Sequence, residues 1–289
     1  MMNQVRNNKM IDLPDIQAIK DTRNISINQA GIENLLLPIS IVRKNTYDIC
    51  YTTATVKCGI YVEPTKKGIN MSRLPIYLTN NAQSLTLNTM IENCKDICNI
   101  SESKYCYLSY KFPYFLTKEA PVSKLTGMVK YDVIFEASVN AITNEILTKI
   151  TVETIASTCC PCSKEISKYN AHNQKCYITL SIDVDNNAII NMIDDLITVE
   201  INENNNIVWI EDLIDICEES ASCPIYTVLK RPDEKFVTEK MYENPRFVED
   251  VVREVSLRIN QLNNIKHYTI KASADESIHM HRAYAVKSK

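Results

Sequence analysis

The feature that most restricts the fold of this chain is one order of predicted elements that occurs twice: two strands, two helical segments, two strands. Apolar residues alternate with period two in the predicted strands and recur at helical spacing in the predicted helices. The first half contains residues 25–42, 47–62, a helical region that is clearest at 84–100, then 105–116 and 130–140. The second half contains residues 145–155, 175–184, 207–220, 246–262, 266–272 and 281–286. The chain is therefore expected to be an α+β protein with antiparallel sheets backed by helix pairs.

The repeated order divides the chain into three parts. Residues 1–24 are polar and irregular and predict a flexible arm, 25–142 form a first ββααββ module, and 143–289 form a second. Residues 185–206 are rich in Asn and Asp, which indicates a surface insertion in the second module. Two open antiparallel sheets cannot cover all their edges alone, so we expect subunits to associate by edge pairing.

Charge and hydropathy exclude several classes of function. The net charge of -3 over 289 residues gives no basic surface for nucleic acid or for an anionic membrane. No apolar run approaches the ~18 residues that span a bilayer, and the N-terminus lacks the apolar core of a signal peptide. We therefore predict a cytoplasmic protein without membrane or nucleic-acid partners. Only 4 glycines are present, and none forms a glycine-rich phosphate loop.

The strongest chemical signal is a cysteine cluster. Cys159, Cys160 and Cys162 lie within four positions, and His172 follows further along the chain. Thiolate and imidazole are preferred zinc ligands, and a thiol of lowered pKa is a strong nucleophile. Structural zinc sites normally close with four ligands in paired Cys-x-x-Cys spacing. The spacing here favours a catalytic metal or thiol, with a structural zinc and plain packing as the alternatives.

Two further segments contain candidate metal ligands. His279 and His281 are two residues apart, so on a strand both would point to one face, where one could complete a metal site with Cys160. Glu218 and Glu219 are adjacent carboxylates at a predicted helix end, where they oppose the helix dipole unless a cation is near. The alternatives are a surface histidine pair and a solvated helix end.

Three polar segments are candidates for substrate contacts. Residues 230–235, KRPDEK, predict a charged turn in which Lys and Arg suit a triphosphate and a carboxylate suits the N–H donors of guanine. Residues 67–73, KGINMSR, and 120–123, APVS, are weaker signals in which Arg73 could pair with a phosphate. Taken alone, residues 230–235 are also typical of a solvated loop.

Together these segments resemble one family, the prokaryotic type IB GTP cyclohydrolases. The matching segments run in order along nearly the whole chain: LPDIQ at 13–17, KGINMSR at 67–73, KEAPVS at 118–123, CPCSKEIS at 160–167, AHNQ at 171–174, WIEDL at 209–213, KRPDEK at 230–235, VTE at 237–239, NPRFVED at 244–250 and ESIH at 276–279. The cysteine motif with its histidine and the Arg-Pro-Asp-Glu-Lys segment are the specific ones.

The resemblance implies a fold, an assembly and an activity. The fold is the tunnelling fold, with two tandem ββααββ modules, and the assembly is a homotetramer with active sites at subunit interfaces. The activity is conversion of GTP and water to 7,8-dihydroneopterin triphosphate and formate, the entry to tetrahydrofolate synthesis and in some bacteria to 7-deazaguanine. A divalent metal, Zn²⁺, Mn²⁺ or Fe²⁺, is implied as the cofactor that makes hydroxide available near neutral pH.

The resemblance also implies roles for individual residues. Cys160, Glu219 and His279 are the implied metal ligands, and His281 is the alternative to His279. His172 is placed beside the metal as a ligand or proton carrier. The remaining implied site residues are Cys162 facing guanine C8, Glu234 anchoring guanine, Arg73, Lys175 and Lys230 contacting the triphosphate, and Ser123 without an assigned role.

Three positions depart from the family pattern, and three alternatives remain. Asn70 replaces a usual His, Lys124 stands where Gly is common, and Cys159 is an additional thiol. The alternatives are an archaeal-type relative with a cyclic phosphate product and a tunnelling-fold nitrile reductase that uses NADPH. The third is a scaffold without activity, with a structural zinc at Cys159, Cys160 and Cys162.

Overall fold

The computed structural model describes residues 16–17, 19–44, 48–81, 84–184, 189–193, 196–200, 208–262 and 265–289. Most of the predicted arm, 1–24, and part of the predicted insertion, 185–206, lie outside these ranges. The described end of the arm contacts the body of the protein through an antiparallel bridge between Lys20 and Lys66.

A single antiparallel sheet of nine strands dominates the described residues. Its order is β1-β2-β3-β4-β5-β6-β10-β11, and the short β9 also pairs with β5, while β7 and β8 form a separate hairpin. The strands are β1 Ile27–Val42, β2 Ile49–Val62, β3 Tyr105–Glu119, β4 Thr126–Asn140, β5 Glu145–Cys159, β6 Asn173–Val184, β7 Ile189–Ile193, β8 Leu196–Glu200, β9 Cys223–Pro224, β10 Ile265–Ala274 and β11 Ala283–Ser288.

The predicted tunnelling fold, with separate antiparallel sheets in two tandem modules, is wrong. β4 and β5 pair from Asp132 opposite Glu153 to Asn140 opposite Glu145, so both halves of the chain share one sheet. The turn between them is held by Asn140, whose side chain accepts the N–H groups of residues 142 and 143. A tight turn between two long strands pairs the backbone groups that two separate sheets would leave at free edges. The predicted boundary at 142/143 falls in this turn, and the division into modules stays a prediction.

Six helices are described: α1 Arg73–Asn81, α2 Leu87–Ser101, α3 Pro161–Ile166, α4 Ile210–Glu219, α5 Arg231–Glu243 and α6 Val248–Ile259. Those predicted at 84–100, 207–220 and 246–262 correspond to α2, α4 and α6. The turn predicted at 230–235 is instead the start of α5. Pro232 fits there because the first helical N–H groups need no partner within the helix.

The core runs through both halves as one apolar cluster. Alternate residues of the strands are buried, among them Ala54, Val56 and Cys58 of β2. The helices contribute stripes, such as Val248, Val251, Val252, Val255 and Ile259 of α6. A smaller cluster of Cys159, Ala171, Cys223 and Met241 lies apart, at the end of β5. It includes Cys159, the first of the three clustered cysteines.

Candidate functional site

The cysteine motif occupies the junction between β5 and α3. Cys159 is the last residue of β5 and is fully buried, Cys160 is the N-cap of α3, and Cys162 is exposed. The Cys160 N–H donates to the carbonyl of His172 at 3.1 Å, and its Sγ accepts from the Ser163 N–H at 3.4 Å. Three neighbouring cysteines therefore occupy three different environments.

A cavity of about 490 Å³ opens beside Cys160, and we call it the Cys160 pocket. His172 of the β5–β6 connection and Glu276, His279 and His281 of the β10–β11 loop line it. Arg246, Phe247 and Tyr284 also contribute to its wall. Four of the predicted site residues, Cys160, His172, His279 and His281, thus lie around one cavity.

The two histidines of the last loop are stacked. The rings of His279 and His281 have centroids 5.0 Å apart and an interplanar angle of 18°. They precede β11, which begins at Ala283, so the strand on which the same-face prediction relied is absent at these positions. The loop nevertheless brings both rings to the Cys160 pocket.

His172 makes two contacts through one ring nitrogen. Its Nδ1 lies 2.9 Å from Oε1 of Gln174 and 3.6 Å from Oε2 of Glu276. Its side chain is mostly buried, with 15% exposed. The ring is therefore held on one edge by polar groups of β6 and of the last loop.

The donor types around the Cys160 pocket suit a divalent metal, because thiolate, imidazole and carboxylate are all zinc ligands. Among the residues that the structure describes, however, no three Cys, His, Asp or Glu side chains are arranged to hold an ion. The predicted carboxylate, Glu219, is absent from the pocket lining. It accepts from Arg258 at 2.8 Å at the end of α4, and 61% of its side chain is exposed. A single chain therefore places suitable types of metal ligand around the pocket, but it does not arrange enough of them to hold an ion.

The neighbouring carboxylate, Glu218, lies in a different environment. It is buried, pairs with Lys118, and accepts the hydroxyl of Tyr131 at 2.8 Å. Adjacent residues of a helix point about 100° apart, so one faces the sheet while the other faces outward. The two adjacent glutamates, which the sequence suggested as one group, therefore have side chains in different environments.

Ser123, Lys230 and Glu234 lie together at a second location, the start of α5. The buried carboxylate of Asp233 joins the loop before β4 to this helix: it accepts the N–H groups of Val122, Ser123 and Lys230, each at 2.8 Å. Burial would raise the pKa of Asp233, but hydrogen bonds from Ser123 and from the Lys230 and Val122 N–H groups outweigh it and hold the pKa below its usual range.

The remaining predicted substrate residues lie elsewhere. Arg73 begins α1, lines another cavity of about 440 Å³ with Lys20 and Lys66, and donates to the carbonyl of Ile100 at 2.9 Å. Lys175 is exposed on β6, and its carbonyl accepts the N–H of Asp275, where the last loop begins. Within one chain the predicted residues are thus distributed over several surfaces.

Sequence reasoning missed three polar residues that shape these sites: Gln174, Asp233 and Glu276. All three lie inside segments that matched the family, AHNQ, KRPDEK and ESIH. A signal for Asp233 was present, since an acidic residue three positions after a helix start often accepts the free N–H there. Gln174 and Glu276 carried none, because their role depends on a contact between different strands and loops.

No helix among the described residues is both long enough and apolar enough to span a membrane.

Comparison with known proteins identifies relatives along nearly the whole chain. Residues 13–285 match the family model described as type I GTP cyclohydrolase folE2. The chain is 38% identical over 277 residues to GTP cyclohydrolase FolE2 of Thermotoga maritima, covering 96% of this chain and 97% of that protein. It is 39% identical over 277 residues to GTP cyclohydrolase FolE2 of Akkermansia muciniphila, with the same coverage of 96% and 97%.

Among solved structures, a uricase from Bacillus fastidious covers 93% of each chain with a TM-score of 0.51 and 10% identity. At that identity the likeness concerns the fold alone, and it accords with one extended sheet in place of the predicted two. The full-length match to the family model and to the relatives settles the wider assignment: the chain belongs to the type I GTP cyclohydrolase FolE2 family.

Proposed function

We propose that this protein, a GTP cyclohydrolase I, converts GTP and water to 7,8-dihydroneopterin triphosphate and formate at the Cys160 pocket. The observation that carries the proposal is the convergence of Cys160, His172, His279 and His281 on one cavity, in a chain that matches the family over residues 13–285. The reaction supplies the pterin of tetrahydrofolate synthesis. A second use of the product, in 7-deazaguanine synthesis, belongs to the same proposal.

The residues of the pocket suit a reaction with several proton transfers. Water must add to C8 of guanine, the imidazole ring must open, and formate must leave. His172 can take and return protons, because a neutral imidazole carries a lone pair on one ring nitrogen and a proton on the other. Cys162, at the exposed start of α3, would present its thiol to C8.

The proposal includes a divalent metal ion, Zn²⁺, Mn²⁺ or Fe²⁺, held by Cys160, His172 and His279, with His281 as the alternative to His279. When bound, such an ion lowers the pKa of a water molecule. Glu219 is the proposed carboxylate ligand, although in one chain it pairs with Arg258. The thiol and imidazole groups of the pocket are suitable metal ligands, which supports a metal site. The carboxylate ligand does not reach this pocket within one chain, so it would have to come from another chain.

That other chain would be a neighbouring subunit of a homotetramer with interfacial active sites. The distribution of Arg73, Glu219 and the group of Ser123, Lys230 and Glu234 over separate surfaces supports this arrangement. A site built between copies would combine the Cys160 pocket of one chain with groups of another.

The test of the function is incubation of the full-length protein with GTP after chelation, with and without added Zn²⁺ or Mn²⁺. Pterin fluorescence after oxidation and dephosphorylation reports product, and product mass distinguishes the triphosphate from a cyclic phosphate. We expect a metal-restored signal that Cys162→Ala abolishes and Cys98→Ala, in the core of the first half, retains. Absence of signal with every metal, from folded protein, would contradict the proposal.

The test of the interfacial site is subunit mixing. Arg73→Gln and Cys160→Ala should each be inactive alone, whereas tetramers reassembled from both should regain activity in about a quarter of sites if the two residues come from different chains. Mixtures that remain inactive, although mass spectrometry shows mixed tetramers, would contradict a site shared in this way.

A further inference from the structure

We infer that Gln174 holds the neutral ring of His172 in the tautomer protonated on Nδ1, which leaves the lone pair on Nε2. Gln174 is thus assigned as a positioning residue: it acts through His172 rather than on the substrate. The tautomer follows from geometry alone, and its effect on catalysis rests on the proposed function.

The first support is the orientation of the Gln174 amide. Gln174 lies at the start of β6 opposite Thr158 of β5, and it is 9% exposed. Its Nε2 donates to Oγ1 of Thr158 at 3.4 Å, while its Oε1 lies 2.9 Å from Nδ1 of His172. An amide oxygen only accepts hydrogen bonds, so a proton on Nδ1 is required for this contact to be favourable.

The second support is a further acceptor on the same nitrogen. Oε2 of Glu276 lies 3.6 Å from Nδ1 of His172, and the Glu276 side chain is 16% exposed. A carboxylate is also an acceptor only, so a lone pair on Nδ1 would face two oxygens in a partly buried site. Both neighbours therefore favour the same tautomer.

The third support is that the backbone at His172 is fixed. The carbonyl of His172 accepts the Cys160 N–H at 3.1 Å, and the carbonyl of the preceding Ala171 accepts the Tyr242 hydroxyl at 3.1 Å. With the backbone and one ring edge held, the orientation of the opposite edge, which carries Nε2, is determined. An unprotonated Nε2 is the form that can accept a proton or bind a metal ion.

An amide is suited to this task because it does not titrate. Gln174 selects the tautomer without adding a charge next to Cys160.

The test is ¹⁵N NMR of the full-length protein labelled at histidine, at a pH of about 8, where an ordinary imidazole is mostly neutral. With 4 histidines in the chain, the signals of His172 are identified by their loss in His172→Phe. Long-range ¹H–¹⁵N couplings report which nitrogen is protonated. We expect the Nδ1–H pattern in the wild type and in Gln174→Glu. In Gln174→Met, where Glu276 is the remaining acceptor at Nδ1, the Nδ1–H fraction should fall, and exposed Gln261→Met is the control that should leave it unchanged.

Metal affinity provides a second readout. In competition with a chelator, Gln174→Met should bind Zn²⁺ about 10- to 100-fold more weakly than wild type, the usual effect of removing a group that orients a ligand histidine. Gln174→Glu should restore most of that affinity. If Gln174 only filled space in the fold, the two variants would be expected to change the affinity for Zn²⁺ to a similar extent.

An Nε2–H pattern for His172 in the wild type would overturn the inference even if both Gln174 variants failed to fold. An unchanged tautomer in folded Gln174→Met would overturn the role of Gln174. Because the spectrum does not depend on turnover, protein that lacks GTP activity but shows the Nδ1–H pattern would retain this inference and lose the proposed function.

Discussion

The two halves of the chain differ in their cysteines: those of the first half are all buried, whereas the second half has both buried cysteines and two, Cys160 and Cys162, that are not. Cys58, Cys94, Cys98 and Cys106 of the first half are all buried in the core, and burial raises the pKa of Cys98 to about 11. Hydrogen bonds to Cys58 and Cys94, together with burial, raise the pKa of Cys106. In the second half, Cys160 and Cys162 stand where β5 gives way to α3, and Cys162 is exposed. Cysteine acts as a small apolar residue within a packed element and becomes available for chemistry where an element ends.

The halves also differ in how their elements are connected. In the first, β3 and β4 are joined by a short loop, whereas the second inserts α3 after β5, α5 between α4 and α6, and the histidine-bearing loop before β11. Two of these insertions, α3 and the histidine-bearing loop, place Cys160, Cys162, His279 and His281 next to the ends of β5 and β11. The first half therefore contributes mainly to the hydrophobic core, whereas the second half contributes to the core and also carries the cysteine and histidine residues of the Cys160 pocket.

The largest effect we expect comes from His172→Phe. Removing the imidazole proposed to transfer protons should lower kcat by about 10²–10⁴-fold. The matched control is His267→Phe, whose exposed ring lies on β10 near the carbonyl of Lys289. Steady-state kinetics with GTP checks the prediction, and equal losses in the two variants would show that the histidines of the second half do not differ in role.

Thiol labelling compares the halves directly. At a pH of 8, a thiol with a pKa of about 11 is ionised in about one molecule per thousand, so Cys98 should react slowly even before the steric shielding of its sulfur is considered. Exposed Cys162 should be alkylated at least about 100-fold faster, as measured by mass spectrometry of timed samples. If the core thiols of the folded protein reacted as fast as Cys162, the proposed difference in reactivity between the cysteines of the two halves would be wrong.

Asp233→Asn tests the link between the halves. The amide would place an N–H₂ group near three backbone N–H donors, so the loop at 120–125 should loosen from α5 and KM for GTP should rise. Because folding lowers the pKa of Asp233, its stabilisation is complete above the usual Asp pKa of about 4 and is lost as the pH falls below it. Urea unfolding between about pH 3 and pH 7 should therefore show less pH dependence in the variant.

Asp132→Asn is the control for that series. Asp132 lies on β4 and pairs with Lys130 at 2.9 Å on a partly exposed surface. It should leave both KM and the acid limb of stability close to wild type. An Asp233→Asn protein with the wild-type acid profile would contradict the role assigned to this carboxylate.

The smallest effect is expected from Cys58→Ala in the first half. Loss of one buried sulfur should reduce the free energy of unfolding by roughly 1 kcal/mol, because a small cavity remains in the core. Denaturant unfolding measures this change, and kcat should stay at the wild-type value. A fall in kcat without a fall in stability would mean that the first-half thiols also take part in the reaction.

Much of the local structure could be predicted from periodicity, and the misses have physical causes. The stripe of α6 and the alternation of β3 are strong because one face of each is buried. The segment 230–235 was mistaken for a turn because its charges and proline are typical of loops, whereas Asp233 and Pro232 stabilise the first turn of α5. The joined sheet was missed because periodicity describes each strand but not the strand beside which it lies.

The sequence by itself determined the positions of most strands and helices, the chemistry of the cysteine motif and the family, since all three depend on residues that are close along the chain. Only the tertiary structure decided that β4 pairs with β5, that Glu218 turns inward while Glu219 turns to Arg258, and that Gln174 and Glu276 meet at His172. Those outcomes depend on contacts between segments up to about a hundred residues apart, and local periodicity carries no information about such pairings.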